Sequence, residues 1–228
     1  MHSRPEHKAL RQISRDMVKV ASETRFEWQR YRILKAAATC FNLKGYSGTS
    51  LKDVARHLGL TDAALYYYVR NKEELVYQCY RRAADLGREA MQRATGEGRT
   101  GFEQAFLYIR YHVELMVGDQ GPVAIMSEIP SLKEPHRERI LEVSRQHSTA
   151  FEQILRAGIK DGSIVDCDVR MTGNAIMGAI NWVPKWFHGD AGTADRILAQ
   201  FPAVLTRCLV DGGPCGRVKA DRVPSGPA

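Results

Sequence analysis

Ser50, Lys52, Thr61, Asp62, Ala63, Tyr66, Tyr67 and Lys72 bring hydroxyls, ammonium groups, a carboxylate and two aromatic rings into one short segment. Hydroxyls and ammoniums are ligands for phosphate oxygens. An alanine methyl can meet a thymine methyl, and a carboxylate can accept from cytosine N4. The chemistry on offer is recognition of a charged, base-bearing duplex.

Bond-making chemistry has no comparable cluster. His112, His136, His147 and His188 show no HExxH-type spacing, and no Ser, Cys or Lys sits in a nucleophile motif. No catalytic residue, metal ligand or cofactor is therefore assigned. His147 lies on an apolar stripe and is expected to be a satisfied core histidine. Gly96, Gly98 and Gly101 spell GxGxxG, but the stretch before them is helical in pattern, so they are expected to form a flexible interhelical loop. Cys40, Cys79, Cys167, Cys208 and Cys215 are scattered without a CxxC pair, which argues against a disulfide scaffold or a zinc site. Cys40, Cys79 and Cys208 fall on apolar helix faces and should behave as small core residues.

The elements that must hold the recognition cluster are written locally. Leu51, Val54, Ala55 and Leu58 recur at i, i+3, i+4 and i+7, which gives one apolar helix face. Ser50 with Asp53 starts that helix as a capping-box variant, and Gly59 can take the left-handed conformation that ends it. Leu60 plugs the turn before Thr61 or Asp62 opens the next helix, about Asp62 to Val69. That helix carries Leu65 and Tyr68 inward and leaves Ala63, Tyr66 and Tyr67 outward. Capping is the expected job of Asp62, since an acidic side chain repels a phosphate backbone. Asn71 is a third N-cap with Glu74 at its capping-box position. Lys72 opposes the helix dipole there, which makes sense if a phosphate docks on it; the alternative is a solvated lysine. Two short helices joined by a tight turn make a helix-turn-helix.

The stretch from Ile33 to Leu75 resembles the N-terminal DNA-binding domain of the tetracycline-repressor (TetR) family. The resemblance rests on the first-helix apolar stripe, Gly45, Thr49-Ser50, Val54-Ala55, Gly59, and Leu65-Tyr66-Tyr67-Tyr68-Val69 through Lys72 and Leu75. Val69 stands where the family more often has an aromatic residue. The resemblance implies that Ser50, Lys52, Tyr67 and Lys72 touch phosphate, and that Thr61, Asp62, Ala63 and Tyr66 lie on the reading face. It also implies a homodimer built by the last two helices, and a second domain whose small-molecule pocket controls release from double-stranded operator DNA. With no arginine on the reading helix, specificity is expected to rest on few base bonds, aromatic contact and DNA shape.

Charge supports recognition without the family. Residues 1–72 hold 14 Lys/Arg against 6 Asp/Glu, while residues 73–228 hold 19 against 20, so the whole chain's net +7 comes from one end. Confined to the segment that also holds the helix-turn-helix, this is the footprint of phosphate binding. Arg4, Lys8, Arg11, Arg15 and Lys19 precede the first recognisable helix, as an arm that gains affinity by counterion release or as a frayed terminus. The expected organisation is a basic arm (1–24), the helix-turn-helix domain (25–72), a helical ligand-binding and dimerisation domain (73–211) and a disordered tail (212–228). No signal peptide or membrane span is legible, so a cytoplasmic protein with no membrane partner is expected.

Beyond Leu75 the pattern is helical and no period-two run occurs, so the fold class is all-α. Met171 to Phe187 is apolar on nearly every side, interrupted by Asn174 and Asn181, and must be covered on every side. Gly173, Ala175, Gly178 and Ala179 permit close helix approach. The next helix adds Ile197, Leu198, Phe201, Val204, Leu205 and Cys208, with Pro202 expected to kink or split it. These two helices are the candidates for an intersubunit four-helix bundle. The implied pocket would draw on Phe106, Met116, Met126, Asn174, Met177, Asn181 and Trp182, a lining suited to a long apolar ligand with a polar head, such as a fatty acyl or acyl-CoA effector. A plain core reading of each residue stands beside that one. The rival to a ligand-responsive repressor is an enzyme or small-molecule carrier with a basic end.

Overall fold

In a computed structural model that describes residues 4–118, 132–187 and 189–210, the chain is helical throughout, with no strand among the described residues. Its elements are α1 (Arg4–Lys44), α2 (Leu51–Leu58), α3 (Asp62–Tyr66), α4 (Lys72–Glu97), α5 (Gly101–Val117), α6 (His136–Asp161), α7 (Val169–Trp186) and α8 (Ala191–Thr206). A 3-10 turn, Arg207–Leu209, follows. The backbone is already helical at Arg4, inside the stretch read as an arm. Met126, His188, Cys215 and the tail 212–228 lie outside the described residues.

Two hydrophobic cores form, and α4 enters both. In the first, Ile33, Ala37 and Phe41 of α1 close over Val54 of α2, Leu65 of α3, and Leu75, Val76 and Cys79 of α4. Leu65 is 1% exposed, and burial of such a side chain contributes about 1.5–3 kcal/mol. In the second, Tyr108, Ile109 and Val113 of α5 are fully buried, because α5 packs against α4, α6, α7 and α8. Ala90, Met91 and Ala94 bring the far half of α4 into that core. Leu132 and Ile140 join the first core from across the domain boundary. Burial pushes the Cys79 thiol up to about 12 and raises Cys40 as well, so both stay protonated packing residues.

One expectation fails, and of the kink or split expected at Pro202 the split does not occur. The GxGxxG stretch is no flexible loop: Gly96 lies inside α4, Gly98 caps it, and Gly101 opens α5. The Asp161 carboxylate accepts from Gly101 N–H at 2.8 Å and the Ser163 hydroxyl accepts from Phe102 N–H at 3.0 Å. A Cβ on Gly101 would come within 2.2 Å of the Gly158 backbone, so the spacing serves a close helix crossing. Nor does Pro202 split its helix. α8 continues to Thr206, whose hydroxyl donates to the Pro202 carbonyl at 2.8 Å while the helix packs on α5.

Candidate nucleic-acid interface and effector cavity

The reading segment is shaped by closed local caps. Ser50 Oγ accepts from Asp53 N–H at 3.2 Å, and the Asp53 carboxylate accepts from Ser50 N–H at 2.9 Å, which completes the capping box. The Ser50 hydroxyl also donates to the Asp53 carboxylate at 2.6 Å, and that bond, with the one from Ser50 N–H, holds the Asp53 carboxyl below its ordinary 3.8. Behind the box, the buried Thr49 hydroxyl donates to the Cys40 carbonyl at 3.0 Å and fastens the turn to α1. Gly59 ends α2 at φ 66°, in the left-handed region where a side chain would be strained. α3 is capped by Thr61, whose hydroxyl accepts from Ala64 N–H at 3.2 Å. Asp62 therefore occupies the first turn and does not cap, correcting the role expected of it. At α4, Asn71 Oδ1 accepts from Glu74 N–H at 2.8 Å, but the Glu74 carboxylate accepts from Arg70 N–H and leaves the reciprocal box unclosed.

These caps leave one face of α3 open. Thr61, Asp62 and Ala63 are exposed, Tyr66 is 56% exposed and Tyr67 is 74% exposed. Tyr67 is propped edge-on by Tyr68 at 5.0 Å and by Phe26 of α1 at 6.0 Å. Phe26 escapes motif reading, although it stands seven residues before Ile33 and extends the apolar stripe of α1 backward. Ser50 and Lys52 are exposed beside this face, as are Arg56 and Arg70. Lys72 is placed differently from its neighbours. Its ammonium donates to the Tyr46 carbonyl at 2.8 Å and the Thr49 carbonyl at 3.0 Å, and lies 4.1 Å from the Tyr46 ring centre. It is thus neither solvated nor wholly available to a phosphate: two of its three N–H groups lock the α1–α2 turn that presents Ser50 and Lys52.

In the second domain a cavity of about 110 Å³ opens between α4, α5, α6 and α7. Met116, Met177 and Asn181 line it as expected, while Phe106, Asn174 and Trp182 do not. Trp182 is 59% exposed, and Asn174 is exposed as well. One wall is polar. The Tyr108 hydroxyl bonds His112 Nδ1 at 2.6 Å and also His147 Nε2, and sits 3.5 Å from Met177 Sδ. Burial lowers the His112 imidazole to about 3 and lowers His147 too, so both rings are neutral near pH 7. Lys185 at the end of α7 donates to the Asn42 carbonyl of α1 at 3.1 Å and ties this domain to the first.

Similarity to known proteins agrees with this geometry. Residues 33–79 match the family described as bacterial regulatory proteins, tetR family, and residues 99–209 match the tetracyclin repressor-like C-terminal domain. The chain is 27% identical over 164 residues to the fatty acid metabolism regulator protein of Bacillus subtilis (strain 168), covering 70% of this chain and 84% of that protein. It is 26% identical over 183 residues to the HTH-type transcriptional repressor KstR2 of Rhodococcus jostii (strain RHA1), covering 78% and 89%. It superposes with a TM-score of 0.60 and 25% identity on AibR, solved in complex with isovaleryl coenzyme A and operator DNA, covering 75% of this chain and 96% of that one. The two family descriptions fall on the two halves of the structure, one on the capped helix-turn-helix and the start of α4 and the other on α5 to α8, and together they span most of the chain: it belongs to the TetR family of transcriptional regulators.

Proposed function

We propose that this regulator is a repressor that reads a two-fold operator as a homodimer and lets go when a small acyl-type effector enters the second domain. The observation that carries the reading is the open face of α3, with Ala63, Tyr66 and Tyr67 exposed above the equally exposed Ser50 and Lys52. Aromatic edges and a methyl there suit base contact, and the flanking hydroxyl and ammonium suit phosphate. Lys72 acts mainly by holding the turn, with its remaining N–H toward the backbone of the duplex.

The dimer reading is supported by apolar side chains that α7 and α8 leave uncovered. Met171 is 66% exposed, Trp182 59% and Val204 65%, and Gly178 faces open space where a second helix can approach. Gly173 belongs inside instead, against Leu155 and Phe151. Two copies joined this way would set two α3 helices on one side of a palindrome. The effector reading draws on the cavity and on two relatives, a fatty acid metabolism regulator protein and AibR, solved in complex with isovaleryl coenzyme A. An effector releases the operator only by binding the released conformation more tightly.

A fluorescence-anisotropy titration of the purified chain against DNA from its own promoter region tests the reading. Saturable, sequence-selective binding that weakens steeply with salt is expected, at a stoichiometry of two chains per site. Binding that is indifferent to sequence would favour an enzyme or carrier.

A further inference from the structure

Given the acyl-effector reading, on which the inference rests, the cavity itself speaks to how large the acyl group is and what holds it. Size comes first. The cavity measures about 110 Å³, and an apolar cavity of ~150 Å³ holds one benzene molecule. A body of roughly four to six carbons fills such a space, and a long fatty chain does not enter it. This departs from the long apolar ligand expected on composition alone.

Charge comes second. Among the described residues, no Lys, Arg, Asp or Glu lines the cavity. An ionised carboxylate would lie there without a cation, at a steep desolvation cost, whereas an uncharged carbonyl needs only a hydrogen-bond donor. The polar wall supplies one. The Tyr108 hydroxyl has a single proton, and an imidazole nitrogen is a much stronger acceptor for it than the Met177 thioether at 3.5 Å, so it donates to one ring and accepts from the other. Whichever way that chain runs, one ring carries its second proton on the far nitrogen and the other has a bare one. His112 Nε2 and His147 Nδ1 are those far nitrogens; neither has a protein partner among the described residues, and both rings line the cavity. The wall therefore offers one donor in either direction of the relay. Gly87 of α4 makes room for it, since a Cβ there would stand 3.0 Å from His147 Cε1.

Third, the cavity has a charged doorstep. Ala84, Ile140 and Val143 line it and also line an open groove of about 700 Å³ across α4 and α6. Arg81, Arg88, Arg139 and Arg145 line that groove against Asp85, Glu138 and Glu142. Arg88 pairs with Asp85 and Arg145 with Glu142, while Arg81 and Arg139 have no carboxylate within 4.0 Å among the described residues. We propose that the cavity is a measuring pocket for short acyl thioesters. The carbonyl oxygen accepts from the Tyr108–His112–His147 relay, the short chain packs among Ala83, Leu115, Met116 and Met177, and the phosphate-bearing handle lies along the groove near Arg81 and Arg139.

Calorimetric titration of the full chain with acyl-coenzyme A thioesters of two, four, five, eight, twelve and sixteen carbons tests this. Affinity is expected to peak near four to six carbons and to fall at least about tenfold by twelve. Tyr108→Phe keeps the ring but removes the relay's centre. Gly87→Ala raises helix propensity while crowding His147, so it should bind the best thioester about tenfold more weakly without losing thermal stability. Affinity that keeps rising to sixteen carbons, unchanged binding by both variants, or no binding of any thioester would overturn the proposal. Gel shifts of ligand-free protein with promoter DNA are scored separately. Intact operator binding with no thioester response defeats the measuring pocket alone, whereas lost operator binding defeats the regulator reading beneath it.

Discussion

The reading head and the domain behind it place their decisive polar contacts over very different stretches of chain. In the head, Ser50 closes on Asp53, Thr61 on Ala64 and Asn71 on Glu74, each three residues away. In the second domain, Tyr108 meets His147 across 39 residues and Met177 across 69, and Gly101 meets Asp161 across 60. The caps of a surface that faces DNA are thus written by neighbours in sequence, with Lys72 reaching back 23 and 26 residues to hold the α1–α2 turn. The cavity behind it is assembled from four helices, and its shape changes when any one of them moves.

Substitutions in each region can break or sharpen that contrast. The largest effect is expected from Leu65→Ala, which empties a fully packed position and should cost about 2–5 kcal/mol. If the head is a self-contained unit, denaturant melts followed by operator binding will lose the DNA signal first while most helicity, held by α5 to α8, persists. Equal loss of both would mean that the shared α4 couples the cores tightly.

Acid should act on the opposite region. His112 is held near 3 in the folded protein, well below the ~6.5 of an unfolded histidine, so the unfolded chain takes up the proton first. Stability is complete above about pH 6.5 and falls as pH drops from there toward 3, by ~2 kcal/mol at pH 5, with His147 adding in the same direction. The head's shifted carboxylate, Asp53, has its ordinary value lowered rather than raised, so its capping box survives until the pH falls below 3.8. Thermal melts at pH 7 and pH 5 should therefore show the second domain weakening alone, and Tyr108→Phe should not remove the effect.

Thr61→Ala removes the cap of a five-residue helix and should cost about 1 kcal/mol, with operator affinity falling in step because α3 frays where it reads. The smallest effect separates two lysines. Lys52→Ala should lower the slope of log affinity against log salt by about 1 while leaving stability unchanged. Lys72→Ala should lower affinity with a smaller change of slope and a lower melting temperature, because its ammonium binds the Tyr46 and Thr49 carbonyls. Identical slopes for both variants would place Lys72 on phosphate as fully as Lys52.

Contacts of short range are also the ones legible in the sequence. Ser50, Asp53, Gly59, Asn71 and the outward tyrosines stand as their spacing predicts, since a cap depends on residues a turn away. The effector cavity is legible only in part. α7 is apolar all around, and periodicity cannot tell the side that faces its own domain from the side left uncovered, so Trp182 is expected inward although it is exposed. Asn174 and Asn181 share a face by spacing, yet the cavity reaches only the later turns, where Met177 and Asn181 stand. Tyr108 and the pairing of His112 with His147 carry no local signature. Their relation exists only once α5 and α6 are laid side by side.

α4 belongs to both cores, with Leu75 and Cys79 seated in one and Ala90 and Ala94 in the other. Its 26 residues span about 39 Å, and Gly87, against His147, lies more than halfway along. A tilt of about ten degrees pivoting there would swing the Lys72 end through roughly 4 Å, slightly more than the ~3.4 Å step between base pairs. Under the proposed homodimer, filling the cavity beside this one glycine would be geared to the spacing of two tyrosine-edged heads on a duplex, a span that paired spin labels at position 66 would measure directly.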